Sequence, residues 1–143
     1  MDIRPLTPDY AVSPQIDITD LPAIKAQGFV TLIDNRPDGE IPPHLHTAAM
    51  RSAAEALGLR FIANPVIGGA LTPDNIAAQG AAIAAAAGPV LAYCASGNRS
   101  SVVWALSQAG SHPVDDLIGL PARFGYQLEH LRPQLQALAT GNG

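Results

Sequence analysis

Strand-like and helix-like segments alternate along most of this 143-residue chain. Such alternation is typical of an α/β fold in which a mainly parallel sheet carries helices on both faces. The apolar composition predicts four strands, at Tyr10–Ile16, Phe29–Asp34, Leu59–Val66 and Pro89–Tyr93. Because Pro14 interrupts the first of them, we expect that strand to lie at an edge of the sheet.

Capping residues, prolines and glycines predict the helices between and after these strands. A helix capped by Thr19 ends at Gly28, and a helix opened by Pro42 and Pro43 ends near Leu57. Thr72 and Pro73 begin an alanine-rich helix that ends at Gly88. The remaining predicted helices are Ser100–Ala109, Val114–Leu120 and Tyr126–Leu138.

The chain's only cysteine, Cys94, follows the last predicted strand and precedes a helix. None of the next six residues is a proline, so every backbone N–H from Ala95 to Ser100 is available to an anion. Gly97 allows the loop to curl, and the helix that follows directs its positive end toward the same point. Arg99 adds a planar fork for oxyanions. The sequence therefore predicts an anion-binding loop that favours the thiolate of Cys94.

We assign catalytic roles to Cys94, Arg99 and Ser100, and anion binding to the four residues between the cysteine and the arginine: Ala95, Ser96, Gly97 and Asn98. Ser100 is expected to bond the Cys94 sulfur or to cap its helix, and the two roles are compatible. Two simpler interpretations stay open, an inert core cysteine and a loop that binds anions without covalent chemistry.

Length and charge set further limits on function. We expect one domain over residues 1–143, and a single cysteine excludes an internal disulfide and indicates a reducing, cytoplasmic location. The net charge of −4 and the scattered basic residues predict no nucleic-acid or membrane partner. The spacing of the four histidines suggests no metal site, and no cofactor is predicted.

Several motifs together resemble the phosphatase-like domain of beta-lactamase hydrolase-like proteins, a family also described as sulfurtransferases. They are Pro8–Ile16, the NRPDGE turn at Asn35–Glu40, Pro65-Val66 and Pro89–Cys94, and the resemblance runs from about Leu6 to Trp104. It implies a three-layer fold like that of protein tyrosine phosphatases, with Cys94 as nucleophile and Arg99 in the anion site. Some relatives carry a domain linked with persulfide oxidation, which implies a separate persulfide-oxidising enzyme as a partner.

Two departures from tyrosine and dual-specificity phosphatases favour sulfur chemistry. Four residues separate Cys94 from Arg99, as in many rhodanese-type enzymes, where those phosphatases have five. The segment Ile67–Ala70 lacks the general-acid aspartate of dual-specificity phosphatases, a loss of about 10²–10⁴ in rate when a basic leaving group departs. Sulfite leaving from thiosulfate needs no such acid. Asp74 is the nearest replacement acid.

The sequence therefore predicts a rhodanese-like sulfurtransferase acting on a small anionic substrate. Cys94 would take sulfur from a sulfane-sulfur donor, and an external thiol would accept it, because the chain has no second cysteine. Two alternatives stay open: a phosphatase with a Cys94 phosphoenzyme intermediate, and a non-catalytic persulfide or anion sensor. In either enzyme, we expect the turn at Asp34–Glu40 and the loop at Ile67–Ala70 to meet Cys94 in one cleft.

Overall fold

The computed structural model describes residues 1–140 and contains one five-stranded sheet. Its order is β1-β2-β5-β3-β4, with β1 antiparallel to β2 and the other neighbours parallel. The mainly parallel sheet is confirmed, and β5 lies at its centre. The strands are β1 (Arg4–Thr7), β2 (Tyr10–Ser13), β3 (Thr31–Asp34), β4 (Arg60–Ala63) and β5 (Val90–Tyr93).

The prediction that the strand beginning at Tyr10 lies at an edge is wrong. β1 pairs with its outer side, and β5 pairs with its inner side. Pro14 lies just beyond the last residue of β2, so it removes no hydrogen bond from the ladder. The edge strand on this side of the sheet is β1, which carries its own proline, Pro5, where an edge tolerates one.

Within the described residues, six α-helices flank the sheet: α1 (Leu21–Ala26), α2 (Thr47–Ala56), α3 (Pro73–Ala85), α4 (Asn98–Ser107), α5 (Val114–Ala122) and α6 (Arg132–Ala139). The cap of α3 by Thr72 is confirmed, since its hydroxyl accepts from Asn75 N. Pro43 opens a short 3₁₀ turn ahead of α2 instead of α2 itself. The last helix begins later than predicted because Pro133 fits only the first turn of a helix.

Alternate side chains of the strands enter two separate cores. Val12, Ile33 and Ala92 face α3 to α6, where they pack with Trp104 and Leu117. The opposite face, which includes Leu32 and Leu91, packs on α1 and α2. This period of two buries both faces of the sheet and confirms the layer of helices on each side.

The carboxyl ends of β2, β3, β4 and β5 meet at one edge of the sheet. The loops that follow these strands therefore surround Cys94, the residue directly after β5. Among residues 1–140, no helix is long and apolar enough to cross a lipid bilayer.

Candidate active site

Cys94 and the residue after it are held by the end of β2 and the loop that follows it. The Cys94 N–H donates to the Ser13 carbonyl at 3.4 Å, and the Gln15 N–H donates to the Ala95 carbonyl at 3.3 Å. Cys94 is only 1% exposed. The Gly97 N–H donates to its sulfur at 3.1 Å.

The loop between Cys94 and α4 presents unpaired backbone donors. Of its six predicted amide donors, the Gly97 N–H goes to the sulfur and the Asn98 N–H goes to Ser96 Oγ at 3.2 Å. The other four N–H groups have no acceptor within residues 1–140. These four belong to Ala95, Ser96, Arg99 and Ser100. They lie in the loop and at the positive amino end of α4, the arrangement that binds anions in other proteins.

Arg99 is fixed by two neighbours that leave one edge of its guanidinium open. Nη1 and Nη2 each donate to the Glu40 carboxylate at 2.7 Å, and Nη1 also donates to the Val66 carbonyl at 2.8 Å. A guanidinium has five N–H donors. The remaining two, on Nε and Nη2, share one edge and have no oxygen acceptor within residues 1–140. That edge is a ready fork for two oxygens of an anion.

The charges of Arg99 and Glu40 shift each other's pKa. Hydrogen bonds to the Glu40 carboxylate raise the pKa of Arg99, and the nearby Cys94 sulfur adds to the effect. The same contact, with help from Arg36, lowers the pKa of Glu40. Glu40 is therefore a carboxylate at neutral pH. Glu40 of the NRPDGE turn also pairs with Arg36 at 3.3 Å, and the turn and the residue Val66 after β4 meet the cysteine loop at Arg99.

Ser100 does not bond the sulfur, and it does not cap α4. Its hydroxyl donates to Asn35 Oδ1 at 2.9 Å, while the N-cap position belongs to Gly97 with a φ of 94°. The Ser100 hydroxyl is therefore part of a buried network of side-chain amides. Gln79 accepts from the side-chain amides of Asn35 and Asn64 at 2.9 and 2.8 Å. Gln79 and Asn35, at the centre of the network, are both 0% exposed, so the network fixes the first turn of α4.

Two tyrosines support the loop from either side. The Tyr10 hydroxyl donates to the Ser100 carbonyl at 2.9 Å and accepts from Gln79 Nε2 at 3.0 Å. The Tyr126 hydroxyl donates to the Ser96 carbonyl at 2.7 Å and accepts from Arg4 Nη1 at 2.6 Å. Burial raises the pKa of both phenols, which therefore stay protonated as donors at neutral pH.

Among residues 1–140, the Glu40 carboxylate is the one that contacts the cysteine loop, and it is bound to Arg99. The segment from 64 to 70 contains no carboxyl side chain. Asp34 is buried, with a pKa raised by desolvation, but its carboxylate is engaged by the Arg36 N–H and the Thr47 hydroxyl. Asp74 lies in the first turn of α3, where a carboxylate complements the helix dipole. Within residues 1–140, no three His, Cys, Asp or Glu side chains are grouped to hold a metal ion.

Comparison with known proteins shows where this arrangement belongs. The family described as "Beta-lactamase hydrolase-like protein, phosphatase-like domain" matches residues 2–111. A beta-lactamase hydrolase-like protein of Agrobacterium fabrum is 39% identical over 92 residues, which cover 64% of this chain. The chain spans only about a fifth of that relative, 21% of its length.

Solved structures share the fold. A candidate phosphatase of Neisseria meningitidis is 32% identical, with a TM-score of 0.77 over 95% of this chain and 97% of its own. A cysteine-to-serine variant of P. aeruginosa TpbA, solved in complex with pTyr, is 17% identical. Its TM-score is 0.57, over 99% of this chain and 91% of its own.

The chain therefore belongs to the phosphatase-like domain family of beta-lactamase hydrolase-like proteins. Its fold is that of protein tyrosine phosphatases, with a TM-score of 0.75 to Tk-PTP. The family and its structural neighbours favour the phosphatase alternative over the predicted sulfurtransferase. None of these comparisons supports an external thiol acceptor or a persulfide-oxidising partner.

Proposed function

We propose that this protein is a cysteine-dependent phosphatase that hydrolyses phosphomonoesters through a phosphoenzyme on Cys94. The observation that carries the proposal is the open edge of Arg99, held by Glu40 beside the Cys94 sulfur. The four unpaired amides of the cysteine loop add donors for the remaining phosphate oxygens. The pTyr bound to TpbA, a protein of the same fold, is a ligand of this chemical class.

Two displacements at phosphorus complete the reaction. In the first, the Cys94 thiolate attacks phosphorus, an S–P bond forms, and the ester P–O bond breaks as its oxygen leaves with the electron pair. In the second, water attacks the same phosphorus, the S–P bond breaks, and inorganic phosphate departs. The Gly97 N–H donates to the sulfur that attacks in the first step and is released in the second. Arg99 and the loop amides stabilise the charge on the equatorial oxygens.

The leaving group sets the rate in a site without a carboxylic acid. A basic alkoxide that departs unprotonated forfeits about 10²–10⁴ in rate. Carboxylates and nitrophenolates leave without help, whereas an ordinary phenolate, whose phenol has a pKa of about 10, shares part of this loss. We therefore infer that the enzyme acts on phosphates with weakly basic leaving groups, and that kcat/KM falls as the pKa of the leaving group rises.

The test is turnover of nitrophenyl phosphate by the parent protein, Cys94→Ser and Arg99→Lys. We expect no turnover by Cys94→Ser. Arg99→Lys keeps the charge but loses the fork, so kcat/KM should fall at least about tenfold. Equal phosphate release by the parent and Cys94→Ser would end the proposal.

Sulfur transfer is the second candidate, and the missing proton donor is the observation that favours it. Cys94 would attack a sulfane sulfur, form an S–S bond and expel sulfite, and an external thiol would then remove the sulfur. The two reactions leave different groups on the same atom. A persulfide that forms from thiosulfate and turns over with added thiol, without any release of phosphate from aryl phosphates, would replace the phosphatase.

A further inference from the structure

A groove of about 460 Å³ lies beside the cysteine loop and has Arg99 in its wall. Four elements build it: the loop after β4, the start of α3, one face of α4 and the start of α6. We call it the α4 groove, since Asn98, Val102 and Leu106 form its length. Cys94 does not line the groove, so the groove begins next to the catalytic loop and leads away from it.

Most of the residues that line the α4 groove are apolar, its polar groups come from Asn98, Arg99, His130 and Gln134, and it carries no negative charge. Val66, Ile67, Leu71, Ile76 and Leu131 complete its apolar surface. No aspartate or glutamate lies among the described residues that line it. A ligand that combines an anionic head with an apolar body suits this surface, because Arg99 can bind the head and the apolar side chains can bury the body.

The position and length of the groove restrict the shape of that body. Asn98 and Leu106 are separated by eight residues of α4, which corresponds to about 12 Å along the helix. An extended chain advances about 1.2 Å per bond, so about ten bonds fill this length. Because Cys94 does not line the groove, a body that lies in it extends sideways from a phosphate bound opposite the Cys94 sulfur, a course that suits a flexible chain.

We propose that the substrate is a phosphate joined to a weakly basic leaving group with a flexible apolar chain, the chemistry of a medium-chain acyl phosphate. This inference rests on the proposed phosphatase function and adds the α4 groove to it. Attack by Cys94 forms the S–P bond and breaks the P–O bond to the acyl group. The carboxylate leaves with the electron pair and needs no proton, as a site without a proton donor requires. Water then releases phosphate from the cysteine.

The first experiment measures binding of alkylphosphonates, from methyl to decyl, to the reduced parent protein by calorimetry. We expect affinity to rise about two- to fourfold per added methylene and to level off near eight to ten carbons, where the groove ends. An affinity that does not change with chain length overturns the proposal.

Three variants locate the chain in the groove. Gln134 and Gln136 are both exposed on α6, but only Gln134 lines the groove. We expect Gln134→Leu to tighten octylphosphonate about threefold or more and Gln136→Leu to leave it unchanged. Ile67→Ser, at a side chain 62% exposed, should weaken octylphosphonate and leave methylphosphonate unchanged. Equal effects of the two glutamine variants would overturn this placement.

The second experiment compares kcat/KM for acetyl, octanoyl and nitrophenyl phosphate, each corrected for spontaneous hydrolysis. The proposal predicts at least about a tenfold preference for octanoyl over acetyl phosphate. Cys94-dependent turnover of all three without such a preference overturns the inference and leaves the phosphatase function intact. A higher kcat/KM for a phosphotyrosine peptide than for octanoyl phosphate also overturns it. If phosphonate binding depends on chain length but no phosphate ester is turned over, both this inference and the proposed phosphatase function are overturned.

Discussion

Replacing Gly97 with alanine tests how tightly the cysteine loop is built. Gly97 has a φ of 94°, a conformation that costs a residue with a Cβ about 1–2 kcal/mol. The added Cβ would lie 2.2 Å from the Tyr126 hydroxyl and 3.0 Å from Cζ of that ring. Tyr126 must therefore move away from the loop.

The moving hydroxyl gives up two hydrogen bonds. Its bond to the Ser96 carbonyl is neutral and is worth about 0.5–1.5 kcal/mol, while its bond from Arg4 is charge-assisted and is worth about 1.5–3 kcal/mol. Water replaces part of the second, because Arg4 is partly exposed. With the backbone cost included, we expect Gly97→Ala to lower the free energy of unfolding by about 3–5 kcal/mol.

Urea unfolding measures this loss, and the melting temperature should fall by about 10–20 °C. Gly119→Ala is the matched control, since its Cβ would meet nothing within 4 Å in α5, and we expect it to be neutral or slightly stabilising. Adding Tyr126→Phe to Gly97→Ala should cost less than the two single changes together, because the clashing oxygen is gone. A Gly97→Ala protein within about 1 kcal/mol of the parent would refute this reasoning.

Three further predictions follow from the contacts around the loop. Glu40→Gln removes the charge that holds Arg99, so kcat/KM for nitrophenyl phosphate should fall about tenfold. The control Glu55→Gln, on the exposed side of α2, should leave kcat/KM unchanged. Equal kcat/KM values for the two variants would contradict the positioning of Arg99 by Glu40. Because the pKa of Glu40 is lowered in the folded protein, its contribution to stability is complete above the ordinary glutamate pKa of 4.5 and is lost as the pH falls through the lowered value. Urea unfolding of Glu40→Gln should show a weaker dependence on pH in that acidic range, and an unchanged dependence would argue against the ion pair. Gln79→Leu leaves two buried side-chain amides without an acceptor and should lower the free energy of unfolding by about 3 kcal/mol or more. The control Gln136→Leu should change it very little. Similar free energies of unfolding for the two variants would show that the network does not support the loop.

The sequence predicts well what depends on neighbouring residues. The alternation of strands and helices, the cap of α3 and the strand-loop-helix around Cys94 all arise from local patterns, and the structure contains them. The short strand β1 escaped detection because it carries a proline and only four residues, and its pairing with β2 depends on a turn.

The supports of the site were harder to predict because they lie far away in the sequence. Glu40 reaches Arg99 across 59 positions, and Tyr126 reaches Ser96 across 30. Gln79 did leave a signal. It lies at helical spacing from Ile76 and Ile83 in α3, on a face otherwise filled by apolar residues, and a polar residue there indicates a buried hydrogen-bond hub.

The central claim, a phosphoenzyme on Cys94, is tested most directly by rapid mixing with nitrophenyl phosphate, acid quench and intact mass. The account predicts a transient gain of about 80 Da on the parent and none on Cys94→Ser. A parent protein that never gains this mass, yet gains about 32 Da from thiosulfate at Cys94, would contradict the phosphatase and establish sulfur chemistry in its place.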